Sequence, residues 1–369
     1  MTENSQSRNT PEYWQATLPI WNADQDNMLG CCAIKNETHD VKSFYFKPLK
    51  PSLFQFLPGQ FITLELEING ESINRCYTIS STPTHPHTLS ITVKRQPNGI
   101  VSNWLHDNMQ VGKKISVLGA AGDFTCTNHQ ASKYLFLSGG SGITPLMSMS
   151  RSFYDLAEDA DIAFVHSART QSDIIFRQEL ALMAEQSHFR TAFICEKADA
   201  DWQQTTNCFG GYLTIEILKQ AVPDFLHRKV FTCGPGPYMA AVRSMLKNAG
   251  FDVAQYHEES FNFDELPTNE PAAPETSTLS AGEKFSVEFT KSGTHVSCAP
   301  DQFVLDAGLA AGMRLPSSCR KGLCGTCKSK LISGKVDMKH GGGIRQREID
   351  QGLFLPCCSK PLTNLVVEK

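Results

Sequence analysis

The sequence has little that would tie it to a membrane, a secretory route or a nucleic acid. No apolar run in its 369 residues approaches the roughly 20 needed to cross a bilayer. Its first eight residues, Met1 to Arg8, lack the basic-then-apolar pattern of a signal peptide, so a cytoplasmic location is expected. The formal charge is only −4, from 34 basic and 38 acidic side chains, with no basic stripe interleaved with aromatics. That argues against a nucleic-acid footprint. A disulfide framework is not expected either, because the cytosol keeps thiols reduced and 13 cysteines cannot all pair. There is no internal repeat.

What is present divides along the chain. Residues 1–28 carry one base and four acids and show no periodicity, which reads as a polar, loosely ordered extension. From 29 to 128 the pattern is β. Ile62, Leu64, Leu66 and Ile68 alternate with polar residues before an Asn69-Gly70 turn, and Leu89, Ile91 and Val93 repeat the alternation. This predicts a small antiparallel β-barrel. From 129 to 262 compact apolar strands (Tyr134–Ser138, Ile162–His166, Phe189–Cys195, Val230–Cys233) alternate with helical stretches, the pattern of a doubly wound α/β domain. Residues 263–280, with four acids and no base, read as a solvated linker. The last piece, 281–369, has 13 bases against eight acids and opens on the strand pattern Phe285, Val287, Phe289.

The strongest motif is Cys319-x₄-Cys324-x₂-Cys327 with Cys357-Cys358 thirty residues on. This is the plant-type [2Fe–2S] spacing. Such a cluster needs four thiolates on backbone that can curl around it, and Gly322 and Gly325 allow that. Cys357, which ends the apolar approach Leu353-Phe354-Leu355-Pro356, is favoured over Cys358 as the fourth ligand. The competing readings are a four-thiolate zinc site and surplus buried cysteines.

Four further elements suit nucleotide cofactors. On Arg75-Cys76-Tyr77-Thr78-Ile79-Ser80, an arginine matches a pyrophosphate, an aromatic a flavin ring, and hydroxyls the ring heteroatoms. Gly99-Ile100-Val101-Ser102 opens a helix that could seat a second phosphate. Gly139-Gly140-Ser141-Gly142-Ile143-Thr144-Pro145 follows a strand and opens a helix, with Thr144 expected as its N-cap and Pro145 as its first residue. Cys233-Gly234-Pro235 ends a later strand at the same carboxyl edge, where such sheets bind ligands.

In this order the motifs resemble the ferredoxin–NAD(P)⁺ reductase superfamily, with a fused plant-type ferredoxin of β-grasp type at the C-terminus. The resemblance spans residues 29–369. It implies FAD at Arg75, Tyr77, Thr78, Ser80, Val93, Lys94, Arg95, Gly99, Val101, Ser102, Glu259 and Phe261. It implies NADH at Gly139, Gly140, Gly142, Thr144, Cys233, Gly234 and Pro235, and a cluster at Cys319, Cys324, Cys327 and Cys357. Arg169, after the second nucleotide-domain strand, could instead meet the 2′-phosphate of NADPH.

The implied activity passes electrons from NADH through FAD and the cluster to a protein acceptor, with no side chain as general acid or base. The resemblance points to hybrid-cluster protein, and so to nitric-oxide chemistry, as the acceptor. The alternative is a reductase component of a multicomponent oxygenase or demethylase. A third reading is a non-enzymatic metal-binding module. The net +5 of residues 281–369, with Arg320, Lys321, Lys328 and Lys330 around the cluster loop, suggests a face for an acidic partner.

Overall fold

The computed structural model describes residues 18–260 and 284–369, apart from Asp24, Gln204, Arg314, Pro316, Ser318, Cys319, Leu323 and Gly342. It contains three sheet systems in chain order.

The first is an antiparallel barrel of β1 (Met28–Asn36), β2 (Val41–Pro48), β3 (Phe61–Ile68), β4 (Glu71–Thr78), β5 (Leu89–Lys94) and β6 (Lys114–Ala121), with helix α1 (Ile100–Asn108) before β6. The alternation in β3 buries Ile62, Leu64, Leu66 and Ile68 and turns Glu65 and Glu67 outward, the period-2 consequence of a pleated strand. The strand order is β4-β3-β6-β1-β2-β5, so β4 and β5 form the two edges. They meet through an isolated Ile79–Ile91 bridge, which leaves a seam along the rest of their length. Residues 18–23 run along this barrel. Ile20 bridges Leu53 in parallel and Trp21 sits edge-on to Phe54, a contact the polar composition of the segment gave no sign of.

The second system is β7 (Lys133–Gly139), α2 (Ile143–Leu156), β8 (Asp161–Ala168), α3 (Arg177–Met183), β9 (Phe189–Cys195), α4 (Ala200–Gln203), β10 (Cys208–Gly210), α5 (Ile215–Ala221), β11 (Lys229–Gly234), α6 (Gly236–Asn248) and β12 (Tyr256–Ser260). All strands are parallel in the order β10-β9-β8-β7-β11-β12, with separate apolar clusters on the two faces. The order in which strands are added reverses between β7 and β11, which makes their carboxyl ends the ligand crevice of such a sheet. Arg228 locks the opposite end. It is fully buried, and it donates to Asp161, Asp224 and the Tyr134 carbonyl.

One face of α2 joins this domain to the barrel. Ser148 Oγ donates to the Ser81 carbonyl (2.7 Å), Ser152 meets Thr82, and Arg151 pairs with Glu179 while donating to the Ser80 carbonyl.

The third system holds β13 (Phe285–Phe289), β14 (Thr294–Cys298), α7 (Val304–Ala310), β15 (Ser329–Ser333), β16 (Val336–Met338), α8 (Gln346–Asp350), β17 (Leu353–Phe354), β18 (Ser359–Pro361) and β19 (Leu365–Glu368). Five strands form a mixed sheet, β14-β13-β19-β15-β17, with β13 and β19 parallel, and β16 pairs with β18 beside it. No helix among the described residues is long and apolar enough to cross a membrane.

Candidate functional site

The candidate flavin residues gather on the two edges of the barrel. Arg75, Tyr77 and Thr78 lie on β4, whereas Val93 and Lys94 end β5 and Arg95 follows. Continuing the antiparallel register from the Ile79–Ile91 bridge sets Tyr77 across from Val93 and Arg75 across from Arg95. Arg75 is exposed and Thr78 buried, as alternation requires. Burial raises the Tyr77 phenol, keeping it neutral. At the foot of the seam Gly99 caps α1 without a side-chain bond, and Ser102 Oγ accepts from the Gln96 N–H (3.1 Å). Val101 is buried beneath. Arg95 pairs with Asp107 on α1.

Ser80 does not join this group. Its side chain points into the barrel, where its hydroxyl bonds with Ser90 (2.9 Å) and Thr92 (2.8 Å). Phe261 lies outside the described residues.

At the switch point, the strand β7 runs through Gly139 into a 3₁₀ turn over Gly140–Gly142 before α2. The helix therefore starts at Ile143, two residues earlier than the Thr144 cap predicts. Gly142 is the N-cap, and Thr144 Oγ1 donates back to the Ser141 carbonyl (3.2 Å). The tight turn satisfies the amides that a side-chain cap would otherwise serve. Gly142 packs against the end of β11, where a Cβ would run into the Cys233 carbonyl and come within 2.5 Å of the Gly234 nitrogen. The two loops are thus one crevice. Pro235 caps α6 at its rim, and Arg169 lies exposed beyond β8.

Cys233 and Glu259 are register partners on β11 and β12; Cys233 is fully buried and Glu259 half-buried. Burial and the nearby Asp123 push the Glu259 carboxyl up to about 8, and its Oε2 has no hydrogen-bond partner among the described residues. Burial, then Glu259, pushes the Cys233 thiol up, so it is an inert packing group rather than a nucleophile. An enclosed polar atom awaiting a partner beside a glycine-lined crevice suits a nicotinamide against a flavin.

Three of the four candidate cluster residues lie together. Cys324, Cys327 and Cys357 are all buried, and Cys327 donates a hydrogen bond to Cys357. That bond and one from the Gly322 N–H favour the Cys357 thiolate. Gly322 has φ +68°, and a Cβ there would stand 2.6 Å from the Cys358 sulfur. Convergent thiols with backbone N–H groups aimed at sulfur are the donor set of an iron–sulfur centre. Cys319 lies outside the described residues.

A flavin-type barrel, a nucleotide sheet and a plant-type cluster fold on one polypeptide define a three-domain electron-transfer reductase. Comparison with known families agrees. Residues 32–126 match the oxidoreductase FAD-binding domain, 136–244 the oxidoreductase NAD-binding domain and 287–362 the 2Fe-2S iron-sulfur cluster binding domain. The chain is 44% identical over 362 residues to the glycine betaine monooxygenase reductase subunit of Chromohalobacter salexigens, covering 95% of this chain and 97% of that one. It is 39% identical over 341 residues to the stachydrine N-demethylase reductase subunit of Rhizobium meliloti, covering 92% and 96%. Among solved structures, phthalate dioxygenase reductase matches 95% of this chain and 100% of its own with TM-score 0.53 at 22% identity, a likeness of fold.

The chain belongs to the ferredoxin–NAD(P)⁺ reductase superfamily, as an iron–sulfur flavoprotein reductase with FAD, [2Fe–2S] and NADH as cofactors. These relatives are reductases of oxygenases and a demethylase. They favour that alternative over the hybrid-cluster protein expected from the sequence.

Proposed function

We propose that this chain is the NADH-dependent reductase component of an oxygenase that acts on an N-methylated ammonium acid. The observation that carries this reading is near full-length similarity to reductases of glycine betaine monooxygenase and of stachydrine N-demethylase, whose named substrates share that chemistry. The acceptor is then the oxygenase component, met in the cytoplasm.

The residues divide the work as follows. Arg75 and the start of α1 at Gly99–Ser102 hold the FAD phosphates, Tyr77 covers the ring, and the Thr78 hydroxyl faces its polar edge. Val93, Lys94 and Arg95 line the opposite side of the seam. Gly139, Gly140, Gly142 and Thr144 receive the NADH pyrophosphate at the head of α2. Cys233, Gly234 and Pro235 form the nicotinamide wall, and Glu259 closes it. Cys319, Cys324, Cys327 and Cys357 hold the cluster. Bound flavin accepts a hydride and releases electrons singly to a one-electron centre, so the protein's part is to orient, exclude water and set distance. Arg169 stands in the loop that would meet the adenine ribose, and NADH is the preferred donor.

The test is reconstitution with the oxygenase component of a betaine demethylation system. NADH oxidation should depend on glycine betaine and oxygen and should yield formaldehyde. Rapid reduction of hybrid-cluster protein with no transfer to the oxygenase would overturn the reading.

A further inference from the structure

The cluster fold does not face the barrel across open solvent; a nearly dry set of charges joins them. Glu65 on β3 accepts from Lys328 (3.4 Å), Arg345 (3.1 Å) and Ser116 (2.7 Å). Lys328 and Arg345 also reach Glu348, at 2.6 and 3.7 Å, and Arg345 donates to the Val117 carbonyl on β6 (2.9 Å). The side chains of Arg345, Glu348, Lys328 and Glu65 are 5, 13, 14 and 17% exposed, which distinguishes them from ordinary surface pairs. Burial alone would raise the Glu65 carboxyl, yet Lys328, Ser116 and Arg345 together hold it below its ordinary value.

A second contact lies on the same register pair. Asn74, the β4 partner of Glu65, donates from Nδ2 to the carbonyl of Gly325 (3.2 Å). Gly325 sits between Cys324 and Cys327. A Cβ there would meet Leu118 of the barrel at 2.9 Å. Asn74 is next in sequence to Arg75, on the strand that carries the flavin candidates. Lys328 is therefore committed inward, and of the four cations expected to greet an acidic partner only Arg320, Lys321 and Lys330 remain exposed.

We propose that Glu65, with its bonds to Lys328 and Arg345, and Asn74, with its bond to Gly325, form an intramolecular docking clasp that fixes the cluster loop on the flavin strand and sets the rate of flavin-to-cluster transfer. These are positioning residues, and the proposal rests on the reductase reading above. Each transfer moves one electron, oxidising the reduced flavin by one and reducing the cluster by one. None of these residues belongs to the crevice at Gly142 and Cys233, so the clasp should leave flavin reduction by NADH unchanged.

The experiment uses the full holoprotein and the variants Glu65→Gln and Asn74→Ala, the second guarding against a folding defect in the first. Stopped-flow absorbance should show flavin reduction by NADH unchanged and the following cluster reduction slowed about tenfold, since charge-assisted bonds to the loop are lost. Small-angle X-ray scattering in the absence of NADH should show a larger radius of gyration in both variants. Unchanged cluster reduction, or unchanged scattering in both variants, would overturn the clasp. Absence of flavin reduction in the wild-type protein is a different failure, that of the reductase reading itself.

Discussion

Gly142, at the head of α2, lies directly against the Cys233 carbonyl, with no room between them for a single methyl group. The contact joins the two nucleotide loops into one crevice. A side chain at Gly142 must push β11 away from β7, whereas at Gly140 a Cβ would meet nothing within 4 Å and only the φ of +53° is costly. Gly142→Ala should lose about 1–3 kcal/mol of stability by overpacking and most of its hydride-transfer rate. Gly140→Ala should lose about 1–2 kcal/mol through its left-handed backbone alone. Urea unfolding and single-turnover reduction by NADH separate them; equal hydride rates would contradict the crevice.

The adjacent cysteines should differ. Cys357 accepts hydrogen bonds from Cys327 and the Gly322 amide, while Cys358 sits behind Gly322 and donates its one S–H to the Leu355 carbonyl (3.6 Å). Cys357→Ser is expected to abolish the visible iron–sulfur absorbance and the iron content, and Cys358→Ser to retain both. The reverse pattern would reassign the ligand.

The Glu259 carboxyl gives a pH signature. Its folded value, pushed up to about 8 from an ordinary 4.5, means that the folded state binds the proton more tightly than the unfolded state. The associated stability is therefore complete below the ordinary value and is lost as pH rises through about 8. Flavin-free protein should show Tm falling between about pH 5 and about pH 9, and Glu259→Gln should flatten that part of the curve. Parallel curves would refute the assignment.

Arg228 should matter as much as a core residue. It is fully buried and holds the Asp224 carboxyl far below the carboxylate range; at Asp161 it outweighs the effect of burial. Arg228→Met is expected to cost about 3 kcal/mol, the low end for a broken buried pair, because the two carboxylates stay about a third exposed. Both carboxyls are depressed, so their contribution is present at neutral pH and is lost as pH falls below the ordinary value. The variant's stability curve should accordingly be shallower on the acid side, as read by denaturant midpoints from neutral to acid pH.

The local periodicities carried the reading from sequence to fold. Alternation in β3 and β5, and the apolar cores of β7, β8, β9 and β11, announce themselves within a few residues. So does the cluster, because its ligands are fixed by spacing. Strand β10, only three residues long, and helix α5 gave no comparable signal. Short elements are held by their neighbours rather than by their own pattern. Helix α2 starts two residues before the position its sequence suggests, because a 3₁₀ turn takes the place of a side-chain cap. The Ser80 hydroxyl is taken up by Ser90 and Thr92, partners on β5 that the local pattern around Ser80 does not announce.

The contacts between the three units were the least legible. Glu65 and Lys328 stand 263 residues apart, and nothing local distinguishes Lys328 from the cations that stay in solvent.

The slit between β4 and β5 has a cost for the newly made chain. Two strand edges, joined among the described residues at a single bridge, leave a row of backbone groups that another copy could pair with. A cofactor lying there would act as a covering plug, so that vitamin supply governs recovery of usable protein as well as its turnover. Expression under riboflavin limitation should shift the chain into insoluble aggregates; an equal yield of well-behaved monomer without flavin would show that the edges are harmless.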